Sequence, residues 1–170
     1  MIAKIYIDMD GVLADFDRGV EELCGVARPE PGKSRTQEND DLMWERMRSV
    51  EHFYDRLEPM AGAVEMFNKL WEHYGSRVEI LTGIPKPKRG IVTAGEDKIC
   101  WAHRILNPEL KVNIVYRAEK PGFCQGRDFI LIDDMKLNIK EWEACGGTGI
   151  LHRNPEETLA RIEQFQKFED

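Results

Sequence analysis

The chain has 170 residues and a formal net charge of −7, which together favour one compact domain with an acidic surface. An acidic surface cannot neutralise the phosphates of a long nucleic acid, and no stretch approaches the roughly 20 apolar residues that cross a bilayer. Because the four cysteines are widely spaced and form no C-x-x-C pair, we expect reduced thiols and a cytoplasmic protein. We also expect it to be soluble, with no membrane or long nucleic-acid partner, and a homodimer is possible.

Short apolar runs alternate with segments of helical periodicity along most of the chain. Five runs rich in β-branched residues are predicted as strands, at residues 2–7, 78–81, 112–116, 129–132 and 148–151. Four segments with apolar residues at helical spacing are predicted as helices, at residues 61–73, 97–106, 138–144 and 156–168. The alternation predicts an α/β fold with a Rossmann-like parallel sheet and helices on both faces.

Residues 16–58 break this alternation, because no second strand follows the first. They contain two predicted helices around a polar stretch, residues 28–41, that is rich in proline, glycine and charge. We therefore predict an α/β core made of residues 1–15 and 59–170, with residues 16–58 inserted after strand one as a small helical cap.

Polar residues follow three of the predicted strands at the point where each strand ends. They are Asp8, Asp10 and Gly11 after the first strand, Thr82 and Gly83 after the second, and Asp133 and Asp134 after the fourth. Because parallel strands bring their carboxyl ends to one edge of the sheet, we expect these side chains to lie together. Four clustered carboxylates repel one another unless a cation is present, and oxygen ligands next to phosphate chemistry indicate Mg²⁺.

The acidic residues suit phosphoryl transfer through a covalent intermediate. Asp8, ionised and held by the cation, can attack phosphorus in line. Asp10 lies two residues further along an extended chain and therefore on the same side. It can protonate the leaving oxygen and later deprotonate the attacking water.

A phosphoryl group at this edge also needs donors for its oxygens. Gly11 allows the backbone to approach the phosphate closely. Thr82 offers a hydroxyl group as a donor, and Gly83 follows it at the same strand end. A lysine must offset the negative charge. Lys98, at the start of a predicted helix, and Lys120, just beyond the third predicted strand, are both placed to reach the edge, and the sequence leaves the choice between them open.

Three motifs resemble those of the haloacid dehalogenase-like hydrolases: DMDGVLADF at residues 8–16, ILTG at residues 80–83 and LIDD at residues 131–134. The resemblance implies Asp8 as nucleophile, Asp10 as acid and base, and Thr82 and a lysine as phosphate ligands. It also implies Mg²⁺ held by Asp8, the carbonyl of Asp10 and one or both of Asp133 and Asp134.

Further stretches, at residues 57–65, 97–106 and 115–120, look like those of the 5'(3')-deoxyribonucleotidases, so that the resemblance covers most of residues 1–140. It implies a phosphoric monoester hydrolase that removes phosphate from (deoxy)nucleoside monophosphates. Gly83 stands where the family has a serine, so another small phosphorylated metabolite is the alternative substrate. Candidate contacts for the substrate are Phe16 and Trp44, with Phe53 and Tyr54 as further rings on which a base could stack.

Residues 27–34, ARPEPGKS, match a permissive form of the phosphate-binding loop and give a second hypothesis, a nucleotide-binding protein that uses Gly32, Lys33 and Ser34. A loop of that type follows a buried strand and opens a helix, whereas residues 17–26 read as a helix and two prolines remove amide donors. A third hypothesis is a non-catalytic protein of the same fold that binds a phosphorylated partner.

Overall fold

Five parallel strands form one sheet in the computed structural model of the protein, which describes residues 1–167. They are β1 (Lys4–Ile7), β2 (Val78–Gly83), β3 (Val112–Val115), β4 (Phe129–Asp133) and β5 (Thr148–Leu151), in the spatial order β3-β2-β1-β4-β5. Each strand begins and ends within two residues of a predicted one. The predicted α/β fold with a parallel sheet is therefore confirmed.

Helices connect and cover these strands. They are α1 (Phe16–Gly19), α2 (Gln37–Met47), α3 (Ala63–Tyr74), α4 (Ala94–Ile105), α5 (Lys136–Ala144) and α6 (Pro155–Lys167). The last begins one residue before its predicted start, and the side chain of Asn154 caps it by accepting the N–H of Glu157 at 2.9 Å. Phe168, the last residue of the predicted helix, lies outside the described residues. Among residues 1–167, none of the helices is long and apolar enough to cross a membrane.

Alternate residues of β1 face opposite sides of the sheet. Ile5 and Ile7 belong to the main hydrophobic core, together with buried residues of α3 and α4. Tyr6 belongs to a second cluster on the other side, with Leu131 and Trp142, which lies on α5. Burial of each large apolar side chain contributes about 1.5–3 kcal/mol, so both layers hold the central strands in place.

The segment between β1 and α3 is helical, as predicted. After α1 the chain continues as a π-helical stretch, Val20–Cys24, and a 3₁₀-helix, Phe53–Arg56, follows α2. The buried apolar residues of the segment between β1 and α3, such as Met47 and Phe53, belong to the same hydrophobic core as the strands. The division of the chain into a core and a cap at residues 16–58 stays a prediction.

Candidate active site

The carboxyl ends of β1 and β4 bring three acidic residues together at one edge of the sheet. Asp8 extends the pairing of these strands, because its N–H donates to the carbonyl of Ile132 at 2.9 Å. Carboxylate oxygens of Asp8, Asp133 and Asp134 lie within 4.8 Å of one another. This all-oxygen group fits a hard divalent cation such as Mg²⁺.

Asp133 is the most firmly held of the three. Its Oδ2 accepts hydrogen bonds from Lys120 Nζ at 2.7 Å and Asn138 Nδ2 at 2.9 Å, and its Oδ1 accepts the N–H of Met135 at 2.9 Å. These contacts fix the carboxylate before any ligand binds. Desolvation, and then the neighbouring charge of Asp133, raise the pKa of Asp134 to about 6.

Asp8 is buried, and one of its oxygens is bound to a lysine. Burial raises the pKa of its carboxyl group to about 7, with further contributions from the charges of Asp133 and Asp10, although the ammonium of Lys120 opposes the shift. That ammonium lies 2.8 Å from Asp8 Oδ1. Ionisation of all three carboxylates beside the one ammonium of Lys120 would leave net negative charge, which a divalent cation at this point would neutralise.

Asp10 contacts a different lysine. Lys98 Nζ lies 2.8 Å from Asp10 Oδ2, 2.9 Å from Thr82 Oγ1 and 2.8 Å from the carbonyl of Gly83. The ammonium also lies 4.6 Å from the centre of the Tyr54 ring, at the distance of a cation–π contact. The other carboxylate oxygen, Asp10 Oδ1, is buried and has no hydrogen-bond partner among the described residues.

Both candidate lysines thus reach the edge, but they reach different places. Lys120 lines the cavity beside Asp8, whereas Lys98 is fully buried and lies behind the lining. Lys98 holds Asp10 and Thr82 in place. Lys120 is the lysine that a molecule in the cavity could contact.

Gly11 is required by its conformation and by a close approach. Its φ of +79° lies in the left-handed region, and a Cβ atom there would stand 2.2 Å from Asp134 Oδ2. Gly83 is different, because a Cβ atom at this position would meet nothing closer than the backbone nitrogen of Arg117 at 3.5 Å, an ordinary contact.

A cavity of about 550 Å³ opens onto the acidic cluster, within the size range of small-ligand sites. The lining contains most of the residues predicted from the sequence: Asp8, Asp10, Gly11, Phe16, Trp44, Tyr54, Gly83, Lys120 and Asp134. Thr82, Lys98 and Asp133 lie behind it. Phe53 also lies behind it and packs edge-on against Phe16 and Tyr54, with ring centres 5.8 and 5.2 Å away.

The lining includes further residues that the sequence interpretation did not single out, and two of them interact with each other. Arg117 and Asn138 both line the cavity, and their side chains are joined by a hydrogen bond of 3.0 Å. Arg117 falls in the motif at residues 115–120, three positions before Lys120. This spacing from a predicted site residue was the signal in the sequence by which Arg117 could have been found. Asn138 lies on the first turn of α5, five positions after Asp133.

The loop that resembles a phosphate-binding loop has none of the expected surroundings. Residues 27–34 follow the π-helical stretch Val20–Cys24, and within residues 1–167 no strand leads into them. Lys33 is exposed and pairs with Glu30. The structure therefore gives no support to a nucleotide site built on Gly32, Lys33 and Ser34.

Comparison with known proteins relates the whole arrangement to one fold family. No protein-family model matches the chain. Over 153 residues it is 27% identical to the mitochondrial 5'(3')-deoxyribonucleotidases of Homo sapiens and Mus musculus. The match covers 77% of the chain but 61% and 64% of those proteins, so the chain spans less than two thirds of the length of these curated relatives.

Solved structures decide the fold. A HAD-superfamily hydrolase from Ehrlichia chaffeensis matches 95% of the chain and 96% of its own length, with a TM-score of 0.59 and 14% identity. The protein has the fold of the haloacid dehalogenase-like hydrolases. A hydrolase from Streptococcus pneumoniae TIGR4 matches 96% of the chain and 100% of its own length, at a TM-score of 0.51 and 12% identity. The family resemblance inferred from the motifs is confirmed, while the catalytic roles of individual residues stay predictions.

Proposed function

We propose that the protein is a Mg²⁺-dependent phosphomonoesterase that works through an aspartyl phosphate on Asp8. One observation carries the proposal: the carboxylates of Asp8, Asp133 and Asp134 lie within 4.8 Å of one another, beside Lys120, where the cavity opens. A nucleophile, an oxygen cluster for a hard cation and a fixed positive charge are the parts that phosphoryl transfer requires.

In the proposed reaction Asp8 attacks phosphorus with a carboxylate oxygen while the bond between phosphorus and the ester oxygen breaks. Asp10 gives a proton to the departing oxygen. Water then attacks the phosphorus of the aspartyl phosphate and Asp10 takes a proton from that water. The bond between phosphorus and the Asp8 oxygen breaks, so that the Asp8 carboxylate is regenerated and inorganic phosphate leaves. Asp8, Asp133 and Asp134, with the carbonyl of Asp10, would hold Mg²⁺, which would neutralise negative charge at the site.

The surroundings of Asp10 support its role as acid and base. Asp10 lines the cavity, and Lys98 fixes its carboxylate through Oδ2 at 2.8 Å. Lys98 is thus a positioning residue for Asp10. Lys120 is the better candidate for contact with the phosphoryl oxygens, because it lines the cavity and lies beside the nucleophile. Thr82 and Gly83 complete the proposed phosphate site.

For the substrate we propose a nucleoside monophosphate. Two relatives that share 27% identity with the chain are named 5'(3')-deoxyribonucleotidases. The cavity is lined by three aromatic rings, those of Phe16, Trp44 and Tyr54, on which a base could stack. Gly83 favours the alternative of another small phosphorylated metabolite, because it leaves space at the point where the resembling family has a serine.

Release of inorganic phosphate tests both parts of the proposal. The protein is supplied with deoxyribonucleotides, ribonucleotides and sugar phosphates, each with Mg²⁺ and with EDTA. Asp8→Asn should abolish release, while Asp41→Asn, a matched change of an exposed carboxylate on α2, should leave it unchanged. Full activity of Asp8→Asn or full activity in EDTA would refute the mechanism. A clear preference for sugar phosphates would refute the nucleotidase assignment alone.

A further inference from the structure

Of the residues that line the cavity, two carry a positive charge, Lys120 and Arg117. We propose that Arg117 is a second binding residue for the phosphoryl group of the substrate, held in position by Asn138 and Glu141. The inference rests on the proposed phosphomonoesterase function and identifies a further ligand of the same site.

The helix that carries both cations aligns them. Residues Arg117–Phe123 form a 3₁₀-helix, in which positions three apart lie on the same face. Arg117 and Lys120 are three apart, and both side chains line the cavity. One turn of such a helix rises about 6 Å, so a single group bound beside Lys120 is within the reach of an arginine side chain.

The guanidinium group is fixed without using all of its donors. Arg117 Nη1 donates to Asn138 Oδ1 at 3.0 Å and to Glu141 Oε2 at 2.8 Å. Asn138 is itself buried, and its Nδ2 donates to Asp133 Oδ2 at 2.9 Å. No protein group among residues 1–167 accepts a hydrogen bond from Nη2 or Nε of Arg117. These N–H groups are therefore available to an anion, in the planar geometry that suits phosphate oxygens.

Lys120 alone is poorly placed to neutralise a phosphoryl dianion. Its ammonium already contacts Asp8 at 2.8 Å and Asp133 at 2.7 Å. Five carboxylates line the same cavity: Asp8, Asp10, Asp15, Asp17 and Asp134. An incoming phosphate would meet net negative charge, and Arg117 supplies a cation that is not bound to the nucleophile.

A surface ion pair between Arg117 and Glu141 is the competing explanation, since such pairs occur often and contribute little. The two explanations differ in what they predict for phosphate binding. If Arg117 acts only through its ion pair with Glu141, replacing Arg117 should leave the affinity for phosphate unchanged.

Binding of orthophosphate to the Mg²⁺-loaded protein, measured by calorimetry, is the test. Arg117→Gln should raise the Kd for phosphate at least tenfold, as expected when a hydrogen bond to a charged group is lost, and should raise KM with it. Arg117→Lys should recover only part of the affinity, because a lysine lacks the planar pair of donors. Glu141→Gln should change the Kd less than threefold, because Asn138 still holds the guanidinium.

Thermal unfolding of Arg117→Gln and Glu141→Gln shows whether both variants are folded. Unchanged phosphate affinity in folded Arg117→Gln would overturn the inference, even if activity on some substrates fell. A wild-type protein that binds no orthophosphate would overturn it as well. If the wild type binds phosphate through Arg117 but hydrolyses no monoester, the phosphomonoesterase proposal fails and the assignment of Arg117 stands.

Discussion

The ammonium of Lys98 lies 2.8 Å from Asp10 Oδ2, although 88 positions separate the two residues in the sequence. The pair joins α4 to the turn after β1 in the interior of the protein. Two further acceptors, Thr82 Oγ1 and the carbonyl of Gly83, satisfy the remaining donors of the ammonium. Lys98 thus connects residues from the ends of two neighbouring strands.

Removal of this lysine should therefore cost stability as well as activity. Lys98→Met leaves the carboxylate of Asp10 and the hydroxyl of Thr82 without their partner, and we expect the free energy of unfolding to fall by about 3 kcal/mol. Chemical denaturation measures this change. Phosphate release should also fall by more than a hundredfold, because Asp10 loses the contact that orients it.

A double-mutant cycle separates the ion pair from the packing of the lysine chain. In the Lys98→Met background, Asp10→Asn removes a charge that has lost its partner and should raise stability. In the wild-type background the same change should lower it. Equal effects of Asp10→Asn in the two backgrounds would show that the two residues are not coupled.

Gly11 and Gly83 form a second matched comparison. Gly11→Ala places a Cβ atom 2.2 Å from Asp134 Oδ2 at a φ of +79°, so Asp134 must move away from its position beside Asp8 and Asp133. We expect Mg²⁺ affinity and phosphate release each to fall at least tenfold, and stability to fall by about 1 kcal/mol. Mg²⁺ titration of phosphate release measures the first effect.

Gly83→Ala is the control, because its Cβ atom would make only ordinary contacts of 3.5 Å or more. This variant should keep the stability and Mg²⁺ affinity of the wild type, and the same holds for Gly83→Ser. Equal damage from alanine at positions 11 and 83 would contradict the steric argument.

The sequence predicted those site residues whose position follows from the strands. Asp8, Asp10, Thr82 and Asp133 come directly after buried apolar runs, and parallel pairing brings such positions to one edge whatever the intervening chain does. The five strands themselves were predicted from short apolar runs rich in β-branched residues. Arg117 lies two residues after β3 and Asn138 lies on α5, and neither was singled out, because only their side-chain contacts bring them to the cavity.

Helix α4 shows a further limit of hydrophobic periodicity. The sequence predicted its buried face from Ile99, Trp101, Ile105 and other apolar residues, and placed its start at Asp97. In the structure the helix begins at Ala94, and its buried residues are Ala94, Asp97, Lys98, Trp101 and Ala102. Two buried charged residues, each with partners that lie far away in sequence, occupy the inward positions. A pattern that counts only apolar residues cannot detect them.

Asp97 also gives a test by titration. His52 has a left-handed φ of 51°, and its Nδ1 lies 2.7 Å from the buried carboxylate of Asp97. This hydrogen bond and the charge of Asp97 raise the pKa of His52, and the charges of Glu51 and Asp55 add to the shift. Nuclear magnetic resonance should find the His52 pKa above 6.5 in the folded protein, and Asp97→Asn should return it towards that value.

The sign of the linked stability follows from this shift. A histidine whose pKa is raised in the folded state adds stability at pH values below its unfolded pKa, and this stability is lost as the pH rises through the folded pKa. His52→Asn should therefore destabilise the protein more at pH 6 than at pH 9. His152, which lies after β5 and bonds Thr158, is the control and should titrate identically in wild type and Asp97→Asn. A His52 pKa that ignores Asp97→Asn would contradict the assignment.

The acidic cluster should make the metal-free protein less stable as the pH rises. Burial raises the pKa of Asp8 to about 7 from a normal value of 3.8, so the folded state favours the protonated carboxyl group. The stability from this group is complete below pH 3.8 and is lost as the pH rises through about 7. In EDTA, Asp8→Asn removes the titrating group, and its melting temperature should exceed that of the wild type by a margin that grows between pH 5 and pH 8.

Saturating Mg²⁺ should reverse the order of the two melting temperatures at pH 8, so that the wild type melts above Asp8→Asn. The cation binds the ionised carboxylate of the wild type and stabilises only the folded state. Differential scanning fluorimetry across this range, with and without Mg²⁺, measures both effects. A margin that does not change with pH in EDTA would mean that Asp8 is already ionised at pH 5, and that the carboxylates do not need a cation to offset their charge.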